Sequence, residues 1–267
     1  MYSVENFVRF TRINEYFKVL LLLFPLIFII SPQNLFSYVT IVIFLSNLLL
    51  TAFTYTFNDV EDAEDDYFDA NKRKRNPVTR QELTKKQGYI FSFIILATGL
   101  FLFYLLSPLI FVVGVIFSFI GFIYSWKPIR LKSMPIFDLV SHVLFLGTLQ
   151  FLTAYLTYRT IELFIIPFLM IIIPFSLINQ LMGELNDFKV DKETKNINTI
   201  QKFERIDIRK IIIILGIVMF IGFSTILFTD LLENRIVNLP ITLLIGSMAF
   251  YRLRFFLNRA RELSVII

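Results

Sequence analysis

The chain has 267 residues, of which 56% are hydrophobic and only 18% are charged, and its mean hydropathy is +0.70. Soluble domains are about 45–50% apolar and about 25% charged, so this composition excludes a soluble enzyme and indicates one all-α integral membrane domain over residues 1–267. The absence of Cys and the presence of one His exclude disulfides, thiol nucleophiles and His-based metal sites. The net charge of +5 does not predict a nucleic-acid partner, because basic residues of membrane proteins report topology.

Eight segments are apolar enough, and long or nearly long enough, to cross a bilayer as helices of about 20 residues. They cover residues 16–30, 35–57, 88–106, 109–126, 137–158, 161–185, 208–229 and 236–256. The first is short, contains Pro25 and also resembles the core of a signal peptide. The Ser31-Pro32-Gln33 sequence behind it is a poor cleavage site, which favours a retained span.

The 26 Lys and Arg residues are distributed unevenly between the predicted loops. If eight spans alternate across the membrane, all of them except Arg159 and Arg235 lie on one side. Cytoplasmic loops of membrane proteins carry such an excess. Both termini are therefore predicted to be cytoplasmic, which requires an even number of spans.

The loops after the second and sixth predicted spans have the same order of charges. Each begins with an acidic cluster, at residues 58–66 and 184–191, and continues into a basic stretch. Each loop also follows the second span of a four-span block. We interpret the blocks, residues 16–126 and 137–256, as two pseudo-repeats whose acidic sites face each other.

Helical spacing would place the polar residues of each cluster on one helix face. The aligned residues are Asn58, Asp62 and Asp66, with Asp59 beside them, in the first cluster, and Glu184, Asp187 and Asp191 in the second. Carboxylates this close together destabilise a protein unless a cation compensates them. Oxygen ligands without His or Cys suit Mg²⁺, which typically binds one or two carboxylates together with substrate phosphate oxygens.

Basic residues accompany the clusters, as the binding of a diphosphate requires. They are Lys72, Arg73, Lys74 and Arg75 after the first cluster, Lys189, Lys192 and Lys195 in and after the second, and Lys127, Arg130 and Lys132 on the third cytoplasmic loop. Two simpler interpretations stay open. An acidic run is commonly a solvated loop, and basic residues beside a membrane helix commonly serve topology or bind anionic lipids. His142, one turn after Asp138 in the fifth span, either has a function or forms an internal hydrogen bond.

At these positions the sequence resembles the UbiA superfamily of intramembrane prenyltransferases, and the resemblance extends over about residues 7–250. That family's NDxxDxxxD motif is matched by Asn58, Asp59, Asp62 and Asp66, and its DxxxD motif by Asp187 and Asp191. A family Arg-Pro pair resembles Arg75-Asn76-Pro77 with one inserted Asn. A family Tyr-Ser pair followed by Pro and Lys resembles residues 124–132.

The resemblance implies a ring of transmembrane helices around a central cavity, a prenyl diphosphate donor, and Mg²⁺ between the two Asp motifs. The implied catalytic, metal-binding residues are Asp62, Asp66, Asp187 and Asp191, with Asn58 and Asp59 completing the metal site. The implied diphosphate-binding residues are Asn58, Arg75, Tyr124, Lys127, Arg130 and Lys132. The acceptor would be a lipophilic or aromatic molecule in the bilayer. The family commonly has nine spans, whereas eight are predicted here.

Two other functions share parts of this pattern. Transporters are often built from repeats with polar residues near the membrane midplane, whereas most charges here lie at helix ends, which favours an enzyme. CDP-alcohol phosphotransferases also use Mg²⁺ and paired Asp residues, and Gly183, Asp187 and Asp191 match part of their pattern. Their upstream DxxDGxxAR motif is missing, because Ala63 follows Asp62.

Overall fold

The computed structural model describes residues 4–193, 197–203, 207–228 and 235–263, and these ranges contain helices and no strand. The helices are α1 (Val4–Thr11), α2 (Ile13–Leu20), α3 (Leu23–Ile30), α4 (Tyr38–Glu61), α5 (Ala70–Arg75), α6 (Lys85–Leu106), α7 (Pro108–Ser125), α8 (Phe137–Val143), α9 (Leu149–Tyr158), α10 (Ile166–Glu193), α11 (Thr199–Lys202), α12 (Ile208–Phe228) and α13 (Arg235–Leu263). A π-helical turn at Leu144–Thr148 joins α8 to α9.

Six segments of the described chain are long and apolar enough to cross a membrane. They are Tyr38–Glu61, Lys85–Leu106, Pro108–Ser125, Phe137–Tyr158, Leu163–Phe188 and Ile208–Phe228. Each coincides with a predicted span. Large apolar side chains such as Ile94, Phe101 and Phe220 are exposed on these helices, as contact with lipid requires and as a water-soluble surface would not tolerate. The eighth predicted span falls within α13, and the total number of spans stays a prediction.

The first predicted span is not one helix. It is divided into α2 and α3, which meet at Leu21 and Leu22. The cause is Pro25, which has no N–H to donate to the carbonyl of Leu21 and whose ring would clash with that carbonyl in a continuous helix. Within α3 the proline occupies the first turn, where a missing N–H is tolerated.

The starts of the long helices are set by local capping. The Ser37 hydroxyl accepts from Thr40 N–H at the start of α4, and Thr84 and Gln87 form a capping box at the start of α6. Close packing then joins α4 to α6, because Gly99 leaves room for Leu50: an added Cβ would lie 2.3 Å from the Leu50 Cδ1. These contacts fix the direction in which α4 delivers the first acidic cluster.

A cavity of about 980 Å³ runs through the centre of the bundle. Its mouth lies where α4 and α10 end, and residues from Asp187 back to Phe168 of α10 line it. These positions are nineteen residues apart, so the cavity is about 28 Å deep at 1.5 Å per residue. The α2–α3 wall is entirely apolar around Leu20, Leu23 and Leu26. The chain therefore encloses a deep cavity that is charged at its mouth and has an extended apolar wall below.

Candidate active site

Asp62 is the most heavily compensated acidic residue at the mouth of the cavity. It is 9% exposed and directly follows α4. The Lys132 ammonium contacts its Oδ2, and Arg130 Nη2 donates to its Oδ1 at 3.0 Å. Lys132 also donates to Asn58 Oδ1 at 2.8 Å. Burial alone would raise the pKa of Asp62, but Lys132 and then Arg130 outweigh burial and hold this pKa below its ordinary value.

Asp66 also lines the cavity, although α4 ends five residues before it. The Asp66 N–H donates to the Asp62 carbonyl at 2.8 Å, so the chain keeps the helical i to i+4 spacing beyond the end of the helix. Burial raises the pKa of Asp66, and the hydrogen bond from Asn76 only partly opposes this rise. Asp62 and Asp66 therefore line the same cavity with opposite pKa shifts.

Asn76 fixes the loop that carries Asp66. Its side-chain amide donates to the Asp59 carbonyl at 2.6 Å and to Asp66 Oδ2 at 2.9 Å, and its Oδ1 accepts from the backbone N–H groups of Val78 and Thr79. It is fully buried. Asn76 is the residue that separates Arg75 from Pro77, where the similar family motif has an adjacent Arg-Pro pair. The residue at this position therefore has a structural role in this chain.

We expect Asn76→Ala to lower the free energy of unfolding by about 2–3 kcal/mol, because a carboxylate oxygen and two buried N–H groups lose their partner together. Denaturant titration of the purified protein in detergent measures this change. Thr98→Val is the control, since Thr98 is exposed and, among the described residues, its hydroxyl donates only to the Ile94 carbonyl of its own helix. Equal stability of the two variants would contradict the role assigned to Asn76.

Asp59 lies behind the cavity surface. It is completely buried and is not among the described residues that line the cavity. Its Oδ1 is 3.5 Å from Arg12 Nη1 and 3.7 Å from Arg75 Nη2. In this position Asp59 orients two cavity-lining arginines.

The second acidic motif reaches the same mouth from α10. Asp187 lines the cavity, and its Oδ2 is 3.1 Å from Nζ of Lys72 in α5, the helix that follows the first motif. This ion pair brings the two predicted clusters together. Asp191 belongs to α10, but its side chain lies outside the described part of the structure.

Residues behind Asp187 form a buried polar network. Gln180 Nε2 donates to Glu184 Oε1 at 2.9 Å and to the Tyr124 hydroxyl at 3.2 Å. The N–H and hydroxyl of Thr199 both donate to Asp138 at 2.5 Å, and these bonds connect the start of α11 to the start of α8. His142 lines the cavity deeper down, and its Nδ1 is 3.4 Å from the Ser176 hydroxyl, a long internal hydrogen bond.

The predicted diphosphate-binding residues divide into two groups. Those that line the cavity are Asn58, Arg75, Tyr124, Arg130 and Lys132. Lys127 is not among the described lining residues, since its Nζ donates to the exposed Glu64 at 2.7 Å. Lys85 binds the same carboxylate, and hydrogen bonds from Lys127 and Lys85 lower the pKa of Glu64 to about 2. Lys127 therefore forms an ion pair on the protein surface beside the site.

Cavity residues that sequence reasoning assigned only to topology include Arg12, on the N-terminal side of the first span, and Arg252, in α13. Neither has a local motif that would reveal it. Arg12 adopts a left-handed conformation (φ 55°) between α1 and α2, which turns its side chain onto Asp59 and over the Tyr55 ring at 4.4 Å. Within the described ranges, no three acidic or His side chains form a ready-made metal cluster.

The sequence profile of the UbiA prenyltransferase family matches residues 19–264. The chain belongs to this family. The match covers both acidic motifs and all six apolar helices, and it identifies an integral, multi-pass membrane protein. A comparison with curated protein sequences gives no match.

Solved structures of UbiA homologues share the fold. One from Archaeoglobus fulgidus, bound to GPP and Mg²⁺, is 19% identical with a TM-score of 0.72, over 98% of this chain and 96% of that chain. The same homologue bound to Cd²⁺ is 19% identical with a TM-score of 0.70, over 95% and 88%. A digeranylgeranylglyceryl phosphate synthase is 16% identical with a TM-score of 0.63, over 100% and 97%. At such identities the likeness establishes the all-helical UbiA fold.

Proposed function

We propose that this chain transfers a prenyl group from an isoprenyl diphosphate to a lipophilic or aromatic acceptor inside the membrane, in a Mg²⁺-dependent reaction. One observation carries the proposal: acidic residues that follow α4 or belong to α10, interleaved with cations, line the mouth of a single cavity that has an apolar α2–α3 wall below. An isoprenyl diphosphate has the matching polarity, with an anionic head and a hydrocarbon tail. Family membership and the GPP- and Mg²⁺-bound homologue support the same assignment.

The donor set fits Mg²⁺, because it consists of carboxylate and amide oxygens that attract Lys72 of α5 and Arg130 and Lys132 of the loop after α7. Asp62, Asp66 and Asp187 would hold the metal with Asn58, and Asp191 stays a predicted fourth carboxylate. The bound metal would stabilise the negative charge that develops on the departing diphosphate. Asp59 is assigned to the support of Arg12 and Arg75.

The protein's own groups would then act on the donor. As the C1–O bond breaks, its electron pair leaves with the diphosphate, and Arg75, Arg130 and Lys132 donate hydrogen bonds to the leaving oxygens. The apolar walls exclude water from the allylic cation. An acceptor carbon or oxygen bonds to C1 and loses its proton, which completes the transfer.

Purified protein incubated with labelled C10–C20 isoprenyl diphosphates and an acceptor panel would test this proposal. Mass spectrometry should find a prenylated product that forms with Mg²⁺ and not with EDTA. The rival function, a transporter built on the same repeats, predicts instead that labelled solute accumulates inside sealed vesicles without covalent change.

We further infer that both termini and both Asp motifs face the cytoplasm and that eight spans form two pseudo-repeats. The distribution of Lys and Arg supports this topology. The chain contains no Cys, so single cysteines introduced as Lys86→Cys and Thr160→Cys can be labelled in sealed vesicles with an impermeant maleimide. Labelling of both positions from the same side would contradict this topology.

A further inference from the structure

A groove lies outside the cavity, between the loop that follows α4 and the start of α6. Its volume is about 570 Å³. The buried apolar side chains of Val78 and Leu83 contribute to its lining, together with Tyr67 and Phe68, which are 57% and 79% exposed. Two exposed aromatic rings beside an apolar floor are typical of a surface that another molecule covers.

The groove lies where α6 enters the bilayer. Lys85, the first residue of α6, lines the groove, and the membrane-spanning segment Lys85–Leu106 begins at the same residue. On the adjoining face of the helix, Lys86, Ile90 and Ile94 follow one another at i, i+4 and i+8, and all three are exposed. The surface of α6 that contacts lipid therefore begins next to the groove.

The basic residues of α5 divide between two sides of that helix. Lys72 and Arg75 line the cavity, whereas Arg73 and Lys74 are exposed. The Arg73 guanidinium carbon lies 5.4 Å from the centre of the Tyr67 ring, at the rim of the groove. Among the described residues, neither Arg73 nor Lys74 forms an ion pair. The outward side of α5 therefore carries two positive charges that the active site does not use.

The turn between α5 and α6 brings Lys74 towards the same groove. The Lys74 carbonyl accepts a hydrogen bond from Arg80 Nη1 at 3.3 Å. Thr79 and Gln81, on either side of Arg80 in the sequence, both line the groove. Arg73 and Lys74 are thus connected to the groove through different residues.

The acidic side chains near the groove already have partners. Glu64 contacts two lysines, and Glu82 contacts two arginines. Asp65 contacts Arg130, and Asp69 accepts hydrogen bonds from two backbone N–H groups of α5. The groove is therefore bordered by uncompensated positive charge and by aromatic rings.

Topology alone does not explain this arrangement. The positive-inside rule requires cations in the loop, but it requires neither a groove nor exposed aromatic rings. Tyr residues are enriched where a protein meets the headgroup layer, and basic clusters beside a membrane helix attract anionic lipids. An acidic soluble protein would match the charge, but it would give no reason for the groove to lie where α6 enters the bilayer.

We propose that this groove binds an anionic phospholipid from the leaflet on the side of the Asp motifs. Arg73 and Lys74 would hold the phosphate, since a guanidinium and an ammonium both form charge-assisted hydrogen bonds with phosphate oxygens. Tyr67 and Phe68 would contact the glycerol region, and the acyl chains would follow the exposed face of α6. The site lies outside the cavity, so the proposal goes beyond prenyl transfer and does not depend on it.

Short-chain lipids provide the probe: dihexanoyl phosphatidylglycerol, and the zwitterionic dihexanoyl phosphatidylcholine as its match. Each would be titrated calorimetrically into the purified full chain in a neutral detergent. The variant is Arg73→Gln with Lys74→Gln. The matched control is Arg209→Gln with Lys210→Gln, which removes another exposed Arg-Lys pair, near the start of α12.

We expect the wild type to bind phosphatidylglycerol at least about tenfold more tightly than phosphatidylcholine, because two cations face the anionic headgroup. The α5 variant should lose this preference, and the α12 control should retain it within about twofold. Replacing both rings, as Tyr67→Ser with Phe68→Ser, should weaken the binding of both lipids equally, because the rings would contact their uncharged part.

Equal affinity of the wild type for the two lipids would overturn the proposal. So would an unchanged affinity for phosphatidylglycerol in the α5 variant, or an equal loss in the α5 variant and the α12 control. Hexaglutamate, titrated in parallel, represents an acidic protein. If the wild type bound hexaglutamate and did not bind phosphatidylglycerol, the groove would be a protein-docking surface and the lipid proposal would be wrong.

Discussion

Asp62→Ala and Asp187→Ala should each lower prenyl transfer by at least about a thousandfold, because each removes a carboxylate that would hold Mg²⁺ against the diphosphate. Asp62 and Asp187 come from α4 and α10, yet both line the mouth of one cavity. Transfer of a labelled geranyl group by purified protein, titrated with Mg²⁺, measures the effect. The residual activity of both variants should also require more Mg²⁺.

Glu64→Ala is the matched control for these two variants. Glu64 follows Asp62 by two residues, but its exposed carboxylate bonds Lys85 at 2.6 Å and Lys127 at 2.7 Å outside the cavity. Its removal should change transfer less than about threefold, as for an exposed ion pair. A loss as large as that of Asp62→Ala would mean that general negative charge at the cavity mouth matters and that no specific metal ligand has been identified.

Lys132→Met should raise the KM for the isoprenyl diphosphate at least about tenfold, because the proposed charge-assisted hydrogen bond from Lys132 to the diphosphate would be lost. The same variant should bind Mg²⁺ more tightly when no diphosphate is present. The reason is that the Lys132 ammonium contacts Asp62 and Asn58, two proposed metal ligands, and so competes with a cation there. Steady-state kinetics and calorimetric Mg²⁺ titration test the two effects separately.

Lys127→Met provides the comparison within the same loop. Lys127 precedes Lys132 by five residues but bonds the exposed Glu64. The Lys127→Met variant should therefore have a KM for the isoprenyl diphosphate and an affinity for Mg²⁺ close to those of the wild type. If the two variants had the same KM, the contact of Lys132 with the Asp62 site would have no part in diphosphate binding.

Helical periodicity predicted which residues of the first acidic cluster come together. The i to i+4 spacing placed Asn58, Asp62 and Asp66 together, and all three line the cavity. The spacing holds past the end of α4, because the Asp66 N–H still donates to the Asp62 carbonyl. Residues four apart in the sequence therefore lie side by side in the fold wherever the backbone is helical or nearly helical.

Contacts between distant segments could not be read from the sequence. Arg12 and Asp59 are 47 residues apart, and only the packing of the N-terminal helices on α4 brings them together. For the same reason Asp59 looked like a metal ligand by its motif, although it lies behind two arginines.

Loop geometry decided the roles of the basic residues. Lys127 and Lys132 share a loop and a charge, and the chain makes a left-handed turn at Arg130 (φ 51°) between them. One of the two lysines reaches Asp62 and the other contacts Glu64. Hydropathy likewise indicated one helix where Pro25 produces two, because an average over a window does not register a single missing N–H.

The central claim is that the cavity ionises an isoprenyl diphosphate under the control of its two Asp motifs. Diphosphate release from labelled geranyl diphosphate by the purified chain, followed as Mg²⁺ is titrated, tests it most directly. Release should rise with Mg²⁺, stop with EDTA, and be lost in Asp62→Ala while Glu64→Ala retains it. A rate of diphosphate release that does not depend on Mg²⁺ would contradict the claim. So would release by Asp62→Ala at the wild-type rate.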